Sequence, residues 1–301
     1  MVNVVIVGTM ALDSIKTPFG KVENALGGSA TFASFAASFF SKPGIVSVVG
    51  KDFPEGHRKL LESRGIDLEG VETLDGKTFH WEGNYDFDIN VAETLKTDLN
   101  VLQKFNPVLP DSYKDADFLF LGNIDPDLQL LVLEQMNKKP KLVVADTMNY
   151  WIESKRNKLL EVVKAVDITL LNDGEARQLF NTTSLIDAAK KILELDSDLA
   201  IIKKGEHGAL LYSKDEYFTA PGYPLENVVD PTGCGDSFAG SMVGFLSNNG
   251  NLSNGTFRKA IIYASSIASF NAEGFSLDRL KKLSMEDIES RFNEFQKMVK
   301  F

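Results

Sequence analysis

A glycine-rich segment in the C-terminal third of the chain contains the residue types best suited to chemistry. It reads Asp230-Pro231-Thr232-Gly233-Cys234-Gly235-Asp236 and leads directly into an apolar helical pattern. Glycines let a backbone approach a ligand closely and point successive N–H groups at one position, and a helix that begins there adds the positive end of its dipole. The segment therefore predicts an anion-binding site.

Asp236 lies inside this predicted anion site. A carboxylate beside a phosphate adds repulsion, unless it is needed as a base that takes the proton of an attacking hydroxyl. Such a base, next to N–H groups that stabilise a transferring phosphoryl group, meets the requirements of phosphoryl transfer. An Asp in the first turn of a helix also serves as a cap, so spacing alone leaves both interpretations open.

Other nucleotide and metal motifs are incomplete in this sequence. Gly76-Lys77-Thr78 has the end of a Walker P-loop, but Val71 stands where that motif requires glycine. No Gly-x-Gly-x-x-Gly follows the first predicted strand, and the three histidines lack His-Glu-x-x-His spacing. These observations argue against a P-loop NTPase, remove the main support for a Rossmann dehydrogenase and exclude a metalloprotease of that type.

Strand and helix patterns alternate along most of the chain and must position these residues. The strand candidates are apolar runs at Val2–Val7, Ile45–Val49, Phe118–Leu121, Leu142–Ala145, Ile168–Leu171 and Leu199–Lys203. The helix candidates are Ala30–Phe40, Glu55–Arg64, Leu128–Asn137, Lys155–Lys164, Glu175–Phe180, Leu185–Leu195, Asp236–Ser247, Thr256–Phe270 and Met285–Lys300. Such alternation predicts an α/β fold whose mainly parallel sheet carries helices on both faces.

The segment Lys77–Phe105 interrupts this alternation. Its aromatic residues at 79, 81, 85 and 87 follow a two-residue period across a Gly83-Asn84 turn signal, which predicts a β-hairpin with an aromatic face. Asp13–Glu23 could add further strand to the same unit. We expect one α/β domain over residues 1–301, with a small β lid from about 13–23 and 77–105 over the open end of the main sheet.

Charge and cysteine content restrict the partners. The 301 residues include 32 Lys and Arg against 42 Asp and Glu, which gives a net charge of −10 and argues against a nucleic-acid polymer as partner. The single Cys234 cannot form an internal disulfide or a zinc site, as is typical of a reducing compartment. We find no signal peptide and no apolar run long enough to span a bilayer, and therefore expect a cytoplasmic protein without a membrane partner.

The glycine-rich segment resembles the C-terminal signature of the ribokinase-like, PfkB-type carbohydrate and nucleoside kinases, with Cys234 where the family usually has alanine. The matches run in family order from Gly8 to beyond Gly274, which is nearly the whole chain. Four further segments resemble landmarks of the family: Gly27-Gly28 at the first long helix, Val48–Asp52, Asn172–Glu175 as its Asn-x-x-Glu motif, and Lys203–Gly208.

The resemblance implies a ribokinase-like fold and ATP-dependent phosphorylation of a primary hydroxyl on a sugar or nucleoside. Asp236 matches the base that deprotonates the acceptor hydroxyl, and the backbone N–H groups of Gly233, Cys234 and Gly235 match those that hold the transferred phosphate. Cys234 would act through its backbone, with a small packed side chain rather than a reactive thiol. The alternative is a non-catalytic nucleotide or sugar sensor on the same fold, although pure binding needs no base.

On the nucleotide side, Asn172 and Glu175 resemble the pair that organises Mg²⁺ and its waters. Glu175 could instead be a first-turn acid that favours the helix dipole, and Lys203, which could neutralise nucleotide phosphate, could be an ordinary solvated lysine. The resemblance assigns three more residues to the nucleotide side: Gly205, Gly208 and Thr232. Asp230, with Thr232, Gly274 and Ser276, resembles a K⁺ site of some members, although Asp230 could also be a turn residue before Pro231.

On the acceptor side, Asp13 matches the acid that hydrogen-bonds substrate hydroxyls, and Gly27 and Gly28 would let a sugar approach the backbone. Asn123 and Asn149 are further candidate polar contacts. Phe32 replaces an asparagine that is frequent in ribokinase-like members, which suggests an apolar or aromatic part of the substrate.

The aromatic residues of the predicted lid support the same interpretation. Trp81 and its aromatic neighbours could stack on a nucleobase, although they could also only pack on the lid itself. The lid could also pair two chains as a homodimer.

Overall fold

Two β-sheets of unequal size organise the protein, for which the computed structural model describes residues 2–300. In this range the large sheet has nine strands: β1 (Val4–Val7), β4 (Pro43–Gly50), β5 (Asp67–Leu74), β8 (Phe118–Leu121), β9 (Leu142–Ala145), β10 (Ile168–Asn172), β11 (Leu199–Lys203), β12 (Ala209–Tyr212) and β13 (Tyr217–Ala220). The small sheet, as described, has four: β2 (Ala11–Thr17), β3 (Gly20–Gly27), β6 (Phe79–Tyr85) and β7 (Ala92–Asp98).

The α-helices connect and cover these strands. They are α1 (Ser29–Ala37), α2 (Glu55–Ser63), α3 (Pro126–Glu134), α4 (Asn149–Ser154), α5 (Arg156–Ala165), α6 (Asp173–Phe180), α7 (Leu185–Leu193), α8 (Cys234–Asn249), α9 (Asn254–Asn271) and α10 (Met285–Met298). None of the helices described for residues 2–300 combines the length and hydropathy that a transmembrane segment requires.

The large sheet has the order β13-β12-β11-β10-β9-β8-β1-β4-β5. Its strands pair in parallel from β5 to β11, and the last two pairs, β11–β12 and β12–β13, are antiparallel. Alternate residues of each strand enter separate cores: Phe118 and Phe120 pack on the side of α1 and α8, whereas Leu119 and Leu121 pack on the side of α3 and α5. Burial on both faces explains the nearly continuous apolar runs and confirms the predicted fold class.

Helices α1 and α8 pack with their backbones in contact. A Cβ atom on Gly240 of α8 would collide with the carbonyl group of Ala33 in α1, so only glycine fits at that position. Because α1 begins after Gly28 and α8 begins after Gly233, this contact brings the two predicted ligand-binding turns to the same region.

The small sheet differs from the predicted hairpin. Gly83 and Asn84 lie inside β6, and the chain turns instead between Tyr85 and Ala92. Gly83 is needed for another reason: the indole ring of Trp81 lies over it, where a Cβ atom would collide with the ring. Phe87 lies in the turn and is fully exposed, so it is not part of the aromatic face.

The bounds of the small sheet also differ from the prediction. Its strands span residues 11–27 and 79–98, with order β3-β2-β6-β7, instead of about 13–23 and 77–105. Residues 100–104 form a short 3-10 helix. Strands β2 and β6 pair in parallel, and Asp13 is the partner of Trp81 in that register.

The predicted strands and long helices are present, with bounds that shift by a few residues. Four elements were missed: β5, β12, β13 and α4. Strand β5 is the edge strand of the large sheet, and its residues are at most half-buried, so its sequence lacks the apolar run that marks the inner strands. Helix α4 has only six residues, too few for a helical period to show.

Candidate active site

The candidate site lies where the strand order of the large sheet reverses. Strand β1 has β4 on one side and β8 on the other, and the chain moves outward in both directions from it. Ligands of open α/β sheets bind at the carboxyl ends of the strands at such a point. The small sheet begins at this end, because β2 follows β1 after only a few residues.

The turn before α8 has the conformation predicted for an anion site. Gly233 is the N-cap residue with φ of +75°, a left-handed conformation that favours glycine. The N–H group of Cys234 donates to the carbonyl oxygen of Pro231 at 3.1 Å, so it is engaged within the turn. Within residues 2–300, the N–H groups of Gly233 and Gly235 have no such acceptor.

The ring of Phe32 packs against this turn. Its side chain is 1% exposed, and its ring packs against Gly233 so closely that a Cβ atom there would collide with it. The aromatic substrate part inferred from Phe32 is therefore not supported, because the ring belongs to the core beneath the turn.

Asp230 holds the turn in place through both carboxylate oxygens. Oδ1 accepts a hydrogen bond from the N–H of Thr232 at 2.9 Å, and Oδ2 accepts one from the N–H of Ser276 at 3.2 Å. Asn271 donates through its side-chain amide to the carbonyl oxygen of Thr232 at 2.8 Å, and its backbone carbonyl oxygen accepts from the N–H of Gly274 at 3.3 Å. Burial raises the pKa of Asp230, which is fully enclosed.

The Cys234 thiol is packed rather than activated. Its sulfur lies 3.5 Å from the carbonyl oxygen of Ala268, to which it donates. Burial raises the pKa of the thiol to about 12, so it stays protonated at neutral pH and is a poor nucleophile.

Four charged groups meet beside the first turn of α8. The ammonium of Lys203, at the end of β11, donates to Oδ2 of Asp146 at 2.5 Å, and it would lie 3.2 Å from a Cβ atom on Gly235. Burial lowers the pKa of Lys203, but Asp146, Glu175 and Asp236 together outweigh it and raise the pKa above its usual value. The ammonium is therefore charged and faces three carboxylates.

Burial raises the pKa of the Asp236 and Glu175 carboxyl groups, whereas it lowers the pKa of the Lys203 ammonium. Burial, followed by the negative charge of Asp146, raises the pKa of each carboxyl group to about 7, and the charge of Lys203 limits the rise. A carboxyl group with a pKa near 7 is well matched to a general base at neutral pH.

Asn172 and Glu175 contact each other directly. The side-chain oxygen of Asn172 accepts from the N–H of Glu175, and Oε2 of Glu175 accepts from the N–H of Asn172, both at 2.7 Å. This reciprocal pair is a capping box at the start of α6. The first-turn role that the sequence left open for Glu175 is thus present, and the same carboxylate also belongs to the charge cluster of Lys203.

Gly205 and Gly208 form a short turn after β11, beyond Lys203. The side chain of Asn90, in the turn between β6 and β7, lies against Gly205 and leaves no room for a Cβ atom there. The small sheet therefore reaches the nucleotide side predicted from the sequence.

Asp13, which the sequence assigns to the acceptor side, is buried. It is 4% exposed, and its Oδ1 atom has no hydrogen-bond partner within residues 2–300. Burial, together with the charge of Asp230, raises its pKa to about 7. Its carboxylate fills the space where Gly27 would carry a Cβ atom, and Gly28 adopts φ of +94° against the carbonyl of Thr9. An unpartnered buried carboxylate oxygen is suited to accept a ligand hydroxyl.

Trp81 lies next to Asp13 on the adjacent strand. Its indole N–H donates to Oγ1 of Thr94 at 3.2 Å, which fixes the ring flat against β6 over Gly83. The ring is half-buried.

Asn123 follows β8, and both ends of its amide are engaged. Its Oδ1 accepts from the indole N–H of Trp151 at 3.0 Å, and its Nδ2 donates to the sulfur of Met148 at 3.0 Å. Because an indole N–H only donates, the orientation of the amide is fixed. Asn149 begins α4 nearby and is exposed, with its Oδ1 bonded to the N–H of Tyr150.

Two site residues were missed by the sequence analysis. Asp146 directly follows the buried run of β9, and an acid in that position is the signal that could have identified it. Gln129 of α3 is fully buried, and its amide donates to the carbonyl oxygens of Gly122 at 2.9 Å and Asp146 at 3.0 Å, which ties the ends of β8 and β9 together. No sequence signal marks Gln129.

The donor set fits Mg²⁺ held through waters better than a closed protein cage. Within residues 2–300, no three His, Cys, Asp or Glu side chains converge as metal ligands. One oxygen of Glu175 is used in the capping box, and both oxygens of Asp146 are bonded, to the N–H of Thr147 and to Lys203. Mg²⁺ usually retains several waters and takes one or two carboxylates, so the remaining oxygen atoms of Glu175 and Asp236 suit it.

Comparisons with known proteins bear on the chain as a whole. The family description "pfkB family carbohydrate kinase" matches residues 2–279. A cytidine kinase of Thermococcus kodakarensis is 33% identical over 254 residues, which cover 82% of this chain and 88% of that protein.

Solved structures show the same fold. A Burkholderia thailandensis nucleoside kinase in complex with inosine superposes with a TM-score of 0.78 at 19% identity, covering 97% of this chain and 96% of that chain. A Vibrio cholerae fructokinase with fructose, ADP and calcium ion bound also gives a TM-score of 0.78, at 17% identity, with coverage of 97% and 99%.

Proposed function

Because the chain belongs to the pfkB family of carbohydrate kinases, which includes sugar and nucleoside kinases of the ribokinase type, we propose that it transfers phosphate from ATP to a primary hydroxyl of a nucleoside. The observation that carries this proposal is the position of Asp236. Its half-buried carboxyl group, whose pKa is raised to about 7, lies at the start of α8 beside Lys203 and the N–H groups of Gly233 and Gly235, which have no acceptor within residues 2–300.

Asp236 acts as the general base in this proposal. It accepts the proton of the acceptor hydroxyl while the hydroxyl oxygen bonds to the terminal phosphorus of ATP, and the bond from that phosphorus to the leaving ADP oxygen breaks. The N–H groups of Gly233 and Gly235 hold the transferred group, with that of Cys234 supporting the turn. Little covalent help is required, because positioning and charge stabilisation dominate phosphoryl transfer.

The nucleotide side is assigned to Asn172, Lys203, Gly205, Gly208 and Thr232. Lys203 would neutralise phosphate charge, and Glu175 with Asn172 would hold Mg²⁺ through its waters. When bound, Mg²⁺ supplies neutralisation of the charge that develops on the phosphates.

We also propose a monovalent cation such as K⁺ near Asp230. The fully buried carboxylate with a raised pKa supports it, since a cation would offset the cost of that charge. Turnover in K⁺ against an equal concentration of a tetraalkylammonium salt tests this assignment, and equal rates would remove it.

The acceptor side is assigned to Asp13, Gly27, Gly28, Asn123 and Trp81. The unpartnered Oδ1 of Asp13 supports a contact with ribose hydroxyls, and the half-buried ring of Trp81 beside it supports stacking of a nucleobase. The 33% identity to a cytidine kinase supports a nucleoside over a free sugar.

We propose that the small sheet is a lid of one α/β domain and that the protein acts in the cytoplasm. We also propose that two chains pair through this lid. Its strand β7 is exposed along almost its whole length, and Phe87 and Val91 are exposed at the adjoining turn. Sedimentation of the wild type against Phe87→Ser tests the pairing, and a monomeric wild type would refute it.

A panel of acceptors with Mg-ATP tests the proposed reaction. We expect ADP formation that depends on a nucleoside, phosphorylation of its primary hydroxyl by NMR, and a kcat/KM at least about 10-fold above that for ribose, fructose or myo-inositol. A preference for a free sugar would overturn the nucleoside assignment. Binding of nucleotide and acceptor without turnover would indicate a sensor instead.

The base is tested by Asp236→Asn. Turnover should fall by about 10²–10⁴-fold, because the acceptor proton loses its acceptor, while binding of Mg-ATP by calorimetry changes little. The matched control is Asp187→Asn, which alters an exposed acid in the first turn of α7 and should leave turnover unchanged. Near-normal activity of Asp236→Asn would refute the mechanism.

A further inference from the structure

Tyr85 connects the small sheet to the turn before α8. The hydroxyl of Thr232 donates to the Tyr85 hydroxyl oxygen at 3.1 Å, across 147 positions of sequence. Tyr85 is the last residue of β6, on the same face as Trp81 and Asp13, and its side chain is 9% exposed. The phenol group is thus enclosed between the sheet and the turn.

The surroundings of the phenol include both halves of the candidate site. Burial raises the pKa of Tyr85 well above its usual value, and the charges of Asp230 and Asp13 raise it further. Asp13 belongs to the acceptor side, whereas Asp230 holds the anion-binding turn. The hydroxyl therefore stays protonated at neutral pH, and it contacts the turn that would hold the phosphate through Thr232.

The Tyr85 proton is available as a donor. A phenol can accept one hydrogen bond and donate another, and here the oxygen accepts from Thr232 while no acceptor of its own proton is found within residues 2–300. A buried donor without an acceptor is costly unless a ligand completes it.

We propose that Tyr85 is a further catalytic residue, whose hydroxyl donates a hydrogen bond to the transferred phosphoryl group. The N–H groups of Gly233 and Gly235 approach that group from the turn, and Tyr85 approaches it from the small sheet. A neutral hydroxyl can donate at this position without adding another charged group to a buried site. The inference rests on the proposed kinase function.

This assignment makes the reaction depend on the position of the small sheet. Tyr85 reaches the phosphoryl site only while β6 is docked against the turn, so the complete donor set forms only when the sheet covers the site. Water would be excluded in the same arrangement, which suppresses transfer to water.

Tyr85→Phe tests the inference, with Tyr217→Phe on the exposed edge strand β13 as the matched control. We expect kcat of Tyr85→Phe to fall by about 10²-fold with the acceptor KM nearly unchanged, because the donor acts mainly in the transition state. Tyr217→Phe should behave as the wild type. A Tyr85→Phe rate within about 2-fold of the wild type would overturn the inference.

A purely structural role predicts a different result. If Tyr85 only holds the sheet in place, Tyr85→Phe should raise the acceptor KM and lower the melting temperature, with little change in kcat. That result would also overturn the inference. A loss of kcat in Tyr85→Phe with a melting temperature close to that of the wild type would support it.

A binding measurement provides a readout independent of turnover. Calorimetry with Mg-ADP and aluminium fluoride, which mimics the transferred group, should show affinity reduced by about 10²-fold in Tyr85→Phe, whereas Mg-ADP alone binds as in the wild type. Equal affinities for the mimic in both proteins would refute the contact. If the wild type phosphorylates no acceptor, the proposed function fails first, so the two failures are distinguishable.

Discussion

Lys203 shares one buried region with three carboxylates, so the protonation of each group depends on the others. The Asp146 charge raises the pKa of Asp236 and Glu175, and the Lys203 charge lowers it. A general base in such a cluster has a pKa that neighbouring charges set as much as burial does. The acid limb of the pH–rate profile should therefore respond to substitutions that never touch the acceptor.

Asp146→Asn and Lys203→Met should move this limb in opposite directions. Removal of the Asp146 charge lowers the pKa of Asp236, so kcat/KM should begin to rise at a pH lower by about one unit. Removal of the Lys203 charge raises that pKa, and the limb should move to higher pH. The measurement is kcat/KM between pH 5 and 9, and movement of both variants in the same direction would contradict the cluster.

Sequence analysis named some residues of the candidate site and missed others. Asp236, Lys203 and Asp13 could be named because their motifs have fixed spacing along the chain. Asp146 and Gln129 could not, because their roles depend on contacts between strand ends that are distant in sequence. The partner of such a hydrogen bond depends on tertiary structure, and a local sequence pattern carries no information about it.

Among the elements, α1 and α8 form the most restrictive contact. Their backbones approach at Gly240 and Ala33, and the two N-termini consequently lie side by side at the site. Periodicity predicted both helices, but it could not predict that they touch. The hairpin was assigned wrongly for a related reason: Gly83 is a glycine because Trp81 covers it, and the local pattern cannot distinguish that from a turn.

Gly240→Ala should destabilise the protein strongly. The new methyl group would meet the Ala33 backbone, which cannot move without shifting α1, so we expect a loss of about 3 kcal/mol or more in the free energy of unfolding. Gly56→Ala in α2 is the control, because its Cβ atom meets nothing within 4 Å and alanine favours the helix. Denaturant unfolding measures both, and equal stability of the two variants would contradict the close packing.

At the scale of the whole molecule, the site is a source of instability at neutral pH. Three carboxyl groups, of Asp13, Glu175 and Asp236, have pKa values raised to about 7. A raised pKa means that the folded state binds the proton more tightly than the unfolded state. The stabilisation of the folded state by this tighter proton binding is complete below the unfolded pKa near 4. It is lost as the pH rises through about 7.

Asp13→Asn should therefore gain stability over the wild type as the pH rises. The pKa of Asp13 rises from 3.8 to about 7, and at about 1.4 kcal/mol per pH unit the gain at pH 8 is at most about 4 kcal/mol. Thermal unfolding without ligands at pH 5 and pH 8 measures it. Asp98→Asn is the control, because Lys96 lowers the pKa of that exposed acid and no gain is expected. A gain that is equal at both pH values would contradict the origin in ionisation.

The contact between α1 and α8 also bears on how such a protein can change over generations. A mutation that moved either helix would displace Gly233 before α8 and Gly28 before α1 together, so the two turns are constrained to change as one unit. Trp81 and the residues after β8 lie on other elements and are free of that constraint. Inherited changes in acceptor preference should therefore accumulate in the small sheet and beyond β8, while the helix pair keeps the same chemistry.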